Sequence, residues 1–134
     1  MQGTQELEAQ EKLLAQLLER KQVVQLGGEH GKQQHWGRAY AVVMRTHNLA
    51  AIELRSEVGN RLAEASLADG LAPVGVLAYT EPGIGDSSKC KVSLRGKGTV
   101  DTSTMCKHFG GGGHALASSC ITSWSEFDSW LRDD

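Results

Sequence analysis

The sequence has few cysteines, no long apolar run and almost no net charge, and each shortage removes a class of protein. Cys90, Cys106 and Cys120 are an odd number without the short spacings of a disulfide scaffold. A reducing intracellular compartment is therefore expected, the cytoplasm or an organelle matrix. No apolar stretch approaches the about 18 residues that would cross a bilayer, so no membrane is expected among the partners. Residues 1–11 are acidic and glutamine-rich, unlike a secretory or transit peptide. A net charge of −2 gives the molecule as a whole no pull toward nucleic acid or lipid. At 134 residues, with 40% apolar and 22% charged positions, the chain suits one soluble domain with its own core.

The charge is unevenly placed. Between Lys89 and His114 stand five basic residues, Lys89, Lys91, Arg95, Lys97 and Lys107, against the single acid Asp101. The remainder carries nine basic and fifteen acidic residues. A positive patch on an acidic body favours an anionic ligand docking at one place.

Periodicity divides the chain unequally. Residues 5–24 read as one amphipathic helix, with Leu7, Leu14 and Leu18 on one side and Leu13, Leu17 and Val24 beside them. Gly27 and Gly28 are expected to stop it, and 26–36 reads as a polar linker, so that 1–25 is a connector and 37–134 the domain proper. Apolar runs at 39–44 and 74–79 predict strands covered on both faces. Between them Ser56 is expected to cap a helix over 57–69, with Gly70 just past its end. Cys90–Arg95 alternates, placing Cys90, Val92 and Leu94 inward and Lys91, Ser93 and Arg95 outward. Asp101 is a candidate cap for a short helix bearing Met105 and Phe109. A strand follows near 118–122, and Ser123 with Glu126 forms a capping box for a last helix. Strands and helices alternate, which predicts an α/β fold with a mixed sheet of about four or five strands flanked by helices.

Chemistry concentrates in Phe109-Gly110-Gly111-Gly112-Gly113-His114. Consecutive glycines reach positive φ without steric penalty and leave the backbone open to close approach. If the loop feeds a helix near Ala115, its amides and the helix dipole converge as an anion site, with His114 at the rim. The plain alternative is a flexible hinge with His114 on the surface. Ordered elements on both sides and the surrounding basic residues favour the anion site. The loop is no Walker sequence, and no acidic residue follows it at the distance of a dinucleotide fingerprint.

Three segments together, Lys91-Val92-Ser93-Leu94-Arg95, Val100-Asp101-Thr102-Ser103 and Phe109 to Ala117, resemble the DHH-associated domain. That domain is the C-terminal substrate-binding part of DHH-family phosphoesterases such as RecJ-like nucleases and nanoRNA-degrading oligoribonuclease/pAp-phosphatases. The looser resemblance covers about Trp36 to Leu131. It implies that Gly111, Gly112 and Gly113 cradle a substrate phosphate, that His114 hydrogen-bonds it, and that Arg95 pairs with its oxygens through a guanidinium fork. Lys91 and Ser93 share the face of Arg95. The implied ligand is a nucleotide or short single-stranded nucleic acid. Gly96 stands where the family usually has serine, and Ala117-Ser118-Ser119 departs from its usual alanines and glycine.

Hydrolysis in that family belongs to a separate catalytic domain holding divalent metal, manganese, through an Asp-His-His motif and further aspartates. This chain has neither that motif nor Asp-x-Asp, and His30, His35 and His47 lie near no acidic cluster. It is expected to hold no cofactor and to be inactive alone, working beside a DHH catalytic domain. Cys106, His108, His114 and Cys120 lack zinc-ligand spacing, and the two cysteines read better as packing. Trp124, Phe127 and Trp130 likewise read as helix packing rather than a stacking platform for bases. The competing role is assembly, with helix 5–24 joining a second copy or a partner protein. Equally, that helix packs on its own domain.

Overall fold

The computed structural model describes residues 2–45 and 49–131. The first helix, α1 (Gln2–Glu19), ends five residues before the leucine periodicity suggests. Its last turn closes with Arg20 N–H on the Leu17 carbonyl at 3.0 Å and Lys21 N–H on Leu18 at 3.2 Å. The chain then becomes β1 (Gln22–Gln25), where Val24 is buried and Val23 points out. The two β-branched valines suit a strand better than a helix terminus. The expected linker is also structured. It contains α2 (Gly28–Gln33), packed against the C-terminal helix, with Leu26, Gly28 and Gly31 buried. Residues 2–36 are thus built into the same sheet and cores as the rest, not set apart from them.

The remaining elements are β2 (Arg38–Met44), α3 (Leu49–Glu53), α4 (Arg55–Ala68), β3 (Val74–Tyr79), β4 (Lys89–Gly96), α5 (Thr102–His108), β5 (Gly112–His114), β6 (Ala117–Ser123) and α6 (Trp124–Trp130). The fold is a mixed α/β sheet flanked by helices. Among the described residues it has six strands, two of them, β1 and β5, beyond those the sequence suggests, in the order β1-β2-β3-β4-β6-β5. Only β2 and β3 are parallel, joined through α3 and α4, and every other pairing is antiparallel.

Alternation along the strands makes two cores. On one face Val42, Met44, Leu77 and Tyr79 meet Leu14 and Leu17 of α1, Ala51 and Ile52 of α3, and Val58 and Leu62 of α4. Burying Leu14 and Leu17 is worth roughly 1.5–3 kcal/mol each, so α1 is docked on its own domain, with Leu7 left 64% exposed. On the other face Val76, Val92, Leu94 and Cys120 meet Met105 and Cys106 of α5 and Phe127 and Trp130 of α6. α4 covers β2 and β3 and reaches β4. Beyond β4 that face is open. No helix of the described residues is long and apolar enough to cross a membrane.

Candidate phosphate-binding cleft

Strand register sets out the open face in rows. Arg95 of β4 pairs with Ala117 of β6, which pairs with His114 of β5. Ser93, Ser119 and Gly112 form the next row, and Lys91 and Ile121 the third. Where this surface meets α4 lies a cleft of about 230 Å³, lined by Arg55, Lys91, Ser93, Arg95, Gly112, Gly113 and Ala117 to Ser119. It is smaller than the roughly 300–1,000 Å³ of drug-sized sites, which suits one phosphate or sugar-phosphate end.

Arg95 is positioned by packing as much as by bonding. Its stem lies against α4 at Gly59, where a Cβ would come within 2.6 Å of the Arg95 Cγ. Nη2 donates to the Ser56 hydroxyl at 3.0 Å and Nη1 to the Leu94 carbonyl at 3.1 Å. Burial, and next the positive charge of Arg55, push the Arg95 guanidinium below its usual pKa. Ser56 is therefore an anchor for Arg95 and not the cap of α4, whose N-cap residue is Leu54. Among the described residues no carboxylate is ion-paired with Arg55, Lys91 or Arg95.

The glycine run does four different things. Asp101 caps α5 by accepting the Ser103 N–H at 2.9 Å. The helix closes in a Schellman motif, with Gly110 at φ 84°, its N–H on the Lys107 carbonyl at 3.0 Å and the Gly111 N–H on Cys106 at 2.8 Å. A side chain on Gly111 would collide with the Ser119 carbonyl and stand 2.7 Å from the Cys120 Cα. Gly113, at φ 140°, would meet the Ala117 carbonyl at 2.6 Å. At Gly112 alone φ is not positive and added bulk meets nothing within 4 Å. Its glycine identity leaves the cleft wall bare.

No helix starts near Ala115, which corrects the expected dipole contribution. Ala115 and Leu116 form the tight turn between β5 and β6, and the Ala115 carbonyl accepts from Thr102 N–H at 2.7 Å and its hydroxyl at 2.9 Å. The small residues after His114 continue into a strand that pairs back on the glycines. Of the residues read from sequence, Lys91, Ser93, Arg95, Gly112 and Gly113 line one cleft. Gly111 does not, because its amide is engaged with α5. His114 is exposed at the far end of the Arg95 row, two strands and about 10 Å away. Arg55 is the charged cleft residue that sequence reasoning missed, along with the small Ala117, Ser118 and Ser119. It lies 36 positions before Lys91, and only the β2–α4–β3 crossover brings it in.

The other candidate groups are dispersed. Cys106 and Cys120 are buried beneath the glycine run, with the Ser118 hydroxyl 3.2 Å from the Cys106 sulfur. His108 stacks on His30 at 3.6 Å between ring centroids. Phe127 and Trp130 are core, and Trp124 carries the Arg45 guanidinium 4.5 Å above its ring. His47 lies outside the described residues. Among the described residues no group of three or more His, Cys, Asp or Glu could hold a metal. The cleft's arginines and lysine repel a divalent cation, so its residues do not fit one.

No protein-family model matches the chain. No curated protein matches it either. Among solved structures, a pGpG-specific phosphodiesterase, PggH from Vibrio cholerae, is similar with a TM-score of 0.50 at 13% identity, over 90% of this chain. The chain spans 36% of the length of that structure. An uncharacterised Helicobacter pylori protein is matched at a TM-score of 0.41 and 19% identity, over 63% of this chain and 20% of that one. The first likeness shows that this fold occurs as part of a pGpG-specific phosphodiesterase.

Proposed function

We propose that this chain is the substrate-binding domain of a DHH-family phosphoesterase. It grips a phosphate of a nucleotide or short single-stranded nucleic acid and presents it to a separate metal-bearing catalytic domain. The observation that carries the reading is the cleft. Three cations with no carboxylate among their ion-pair partners in the described residues converge on a wall of small side chains, and Gly112 keeps that wall bare although the fold does not require glycine there. Arg95 and Arg55 bind phosphate oxygens, Lys91 adds a mobile charge, and the backbone at Gly112 and Gly113 meets the ligand without an intervening Cβ. The floor of serine, alanine and glycine offers nothing that stacks on a base, so this cleft reads phosphate and not sequence. The likeness of fold to a pGpG-specific enzyme, together with the segments around Lys91–Arg95 and Phe109–Ala117, supports phosphorylated dinucleotides as the proposed ligands. The chain contributes binding and orientation, and no hydrolysis alone.

Calorimetric titration of the 134-residue chain with pGpG and with inorganic phosphate tests this. Binding is expected to be weak and to fall with salt, with a slope on a log scale of about one per phosphate contact. Arg95→Ala should weaken it by about tenfold or more, the scale of a charge-assisted bond. Gly112→Val should do the same by filling the cleft while the melting temperature stays put. Binding that survives both substitutions would overturn the reading.

A further inference from the structure

The three cleft cations are held differently. Arg95 is anchored by Ser56 and by its own strand. Lys91 stands four residues from Arg95 along β4, on a flexible stem. Arg55 is the first residue of α4, and its Nη1 donates to the Ile52 carbonyl at 2.9 Å, which ties the side chain to the α3–α4 junction at the cleft edge. It is close enough to Arg95 for its charge to disfavour the second guanidinium. Guanidinium groups as a class keep their charge near neutrality, so deprotonation is no route to relief. Relief comes from an anion, and a more highly charged one relieves it more.

Two kinds of phosphate differ here. An internal phosphodiester carries one negative charge and two non-bridging oxygens. A terminal phosphomonoester carries about −1.5 to −2 at neutral pH and presents three oxygens. Two guanidinium forks engage three oxygens more completely than two, and a cleft of about 230 Å³ accommodates a chain end.

We propose that Arg55 and Arg95 jointly bind a terminal phosphomonoester, and that Arg55 is the residue by which the cleft prefers a phosphorylated end to an internal diester. This rests on the cleft being the phosphate site. The experiment compares a 5′-phosphorylated dinucleotide with the same dinucleotide methyl-esterified on its terminal phosphate, titrated into the unmodified chain, Arg55→Ala and Arg55→Lys. The unmodified chain should prefer the free phosphate by about tenfold. In Arg55→Ala the ratio should fall below about threefold while the methyl ester still binds through Arg95 and Lys91. Arg55→Lys, which keeps the charge and loses the fork, should lie between. A purely structural role for Arg55 would lower both affinities and leave their ratio alone, and that result overturns the proposal. Equal binding of both ligands by the unmodified chain also overturns it and leaves the phosphate-site reading standing. Failure of both ligands to bind the unmodified chain removes this proposal and the phosphate-site reading together.

Discussion

Gly59 and Arg95 touch: the stem of the arginine occupies the space that a side chain on the helix would fill, with 2.6 Å between an added Cβ and the Arg95 Cγ. The guanidinium thus takes its direction from a missing methyl group. Gly59→Ala should favour the helix by roughly 1 kcal/mol of propensity and offset this by crowding, leaving stability nearly unchanged. Arg95 must then swing away from Ser56, so phosphate affinity should drop severalfold. Thermal melts and calorimetric titration on the same variant check both halves. Unaltered affinity would show that Arg95 adapts without leaving the site.

Neighbouring glycines in the run should respond in opposite ways. Gly111 lies against the backbone of Ser119 and Cys120, where nothing flexible can yield. Gly111→Ala should cost about 1–3 kcal/mol, as overpacking does. Gly112 faces open space, and Gly112→Ala should leave stability within about 0.5 kcal/mol, as surface changes do. Urea melts of the two variants would contradict this if they shifted alike.

The alternation of strands and helices was legible because β2, β3, β4 and β6 bury continuous or alternating apolar residues, and because Asp101 and Ser123 carry local capping chemistry that needs no tertiary context. β1 was hidden because the α1 leucine stripe runs in phase into Val24, so a helical period continued on paper where the chain had turned into a strand. β5 was hidden more deeply. Gly-Gly-His has no strand propensity, and it is extended because β6 folds back and offers it an edge. The site was partly legible for the same reason. Lys91, Ser93 and Arg95 share a face by local alternation, which sequence shows. Arg55 reaches them only through a crossover and a sheet register that no short-range pattern encodes.

α1 gives a direct stability test of how the N-terminal segment is used. Leu14 is 2% exposed in the core formed with α3 and α4, whereas Leu7 is 64% exposed. Leu14→Ala should cost about 2–5 kcal/mol, the range for leucine truncation in a packed core. Leu7→Ala should change little. Denaturant unfolding measures both, and sedimentation of Leu7→Ala at high concentration reports on any self-association through that exposed end. Equal, small effects from the two would mean that the helix is not docked as described.

The cap at Asp101 makes a stability element with a defined pH window. Its carboxylate accepts the Ser103 hydroxyl at 2.5 Å and the Ser103 amide at 2.9 Å. The hydroxyl bond first, and the amides of Ser103 and Thr104 after it, hold the Asp101 carboxyl below its ordinary value of 3.8 against an opposing desolvation. A group whose pKa is depressed on folding stabilises the native state above its unfolded pKa. That contribution disappears as pH falls through the folded value. The loss therefore belongs below about pH 4, and stability near neutrality should be insensitive to it. Asparagine caps helices about as well as aspartate and does not titrate in this range. The melting temperatures of the unmodified chain and of Asp101→Asn should accordingly differ in favour of aspartate at pH 7 and draw together as the pH falls below about 4. Asp86, held low in the same manner by Ser88, titrates in both proteins and cancels from the comparison. A difference that stayed constant from pH 7 to pH 3 would show that the cap acts through hydrogen-bond geometry alone, with no contribution from its charge at the N-terminus of α5.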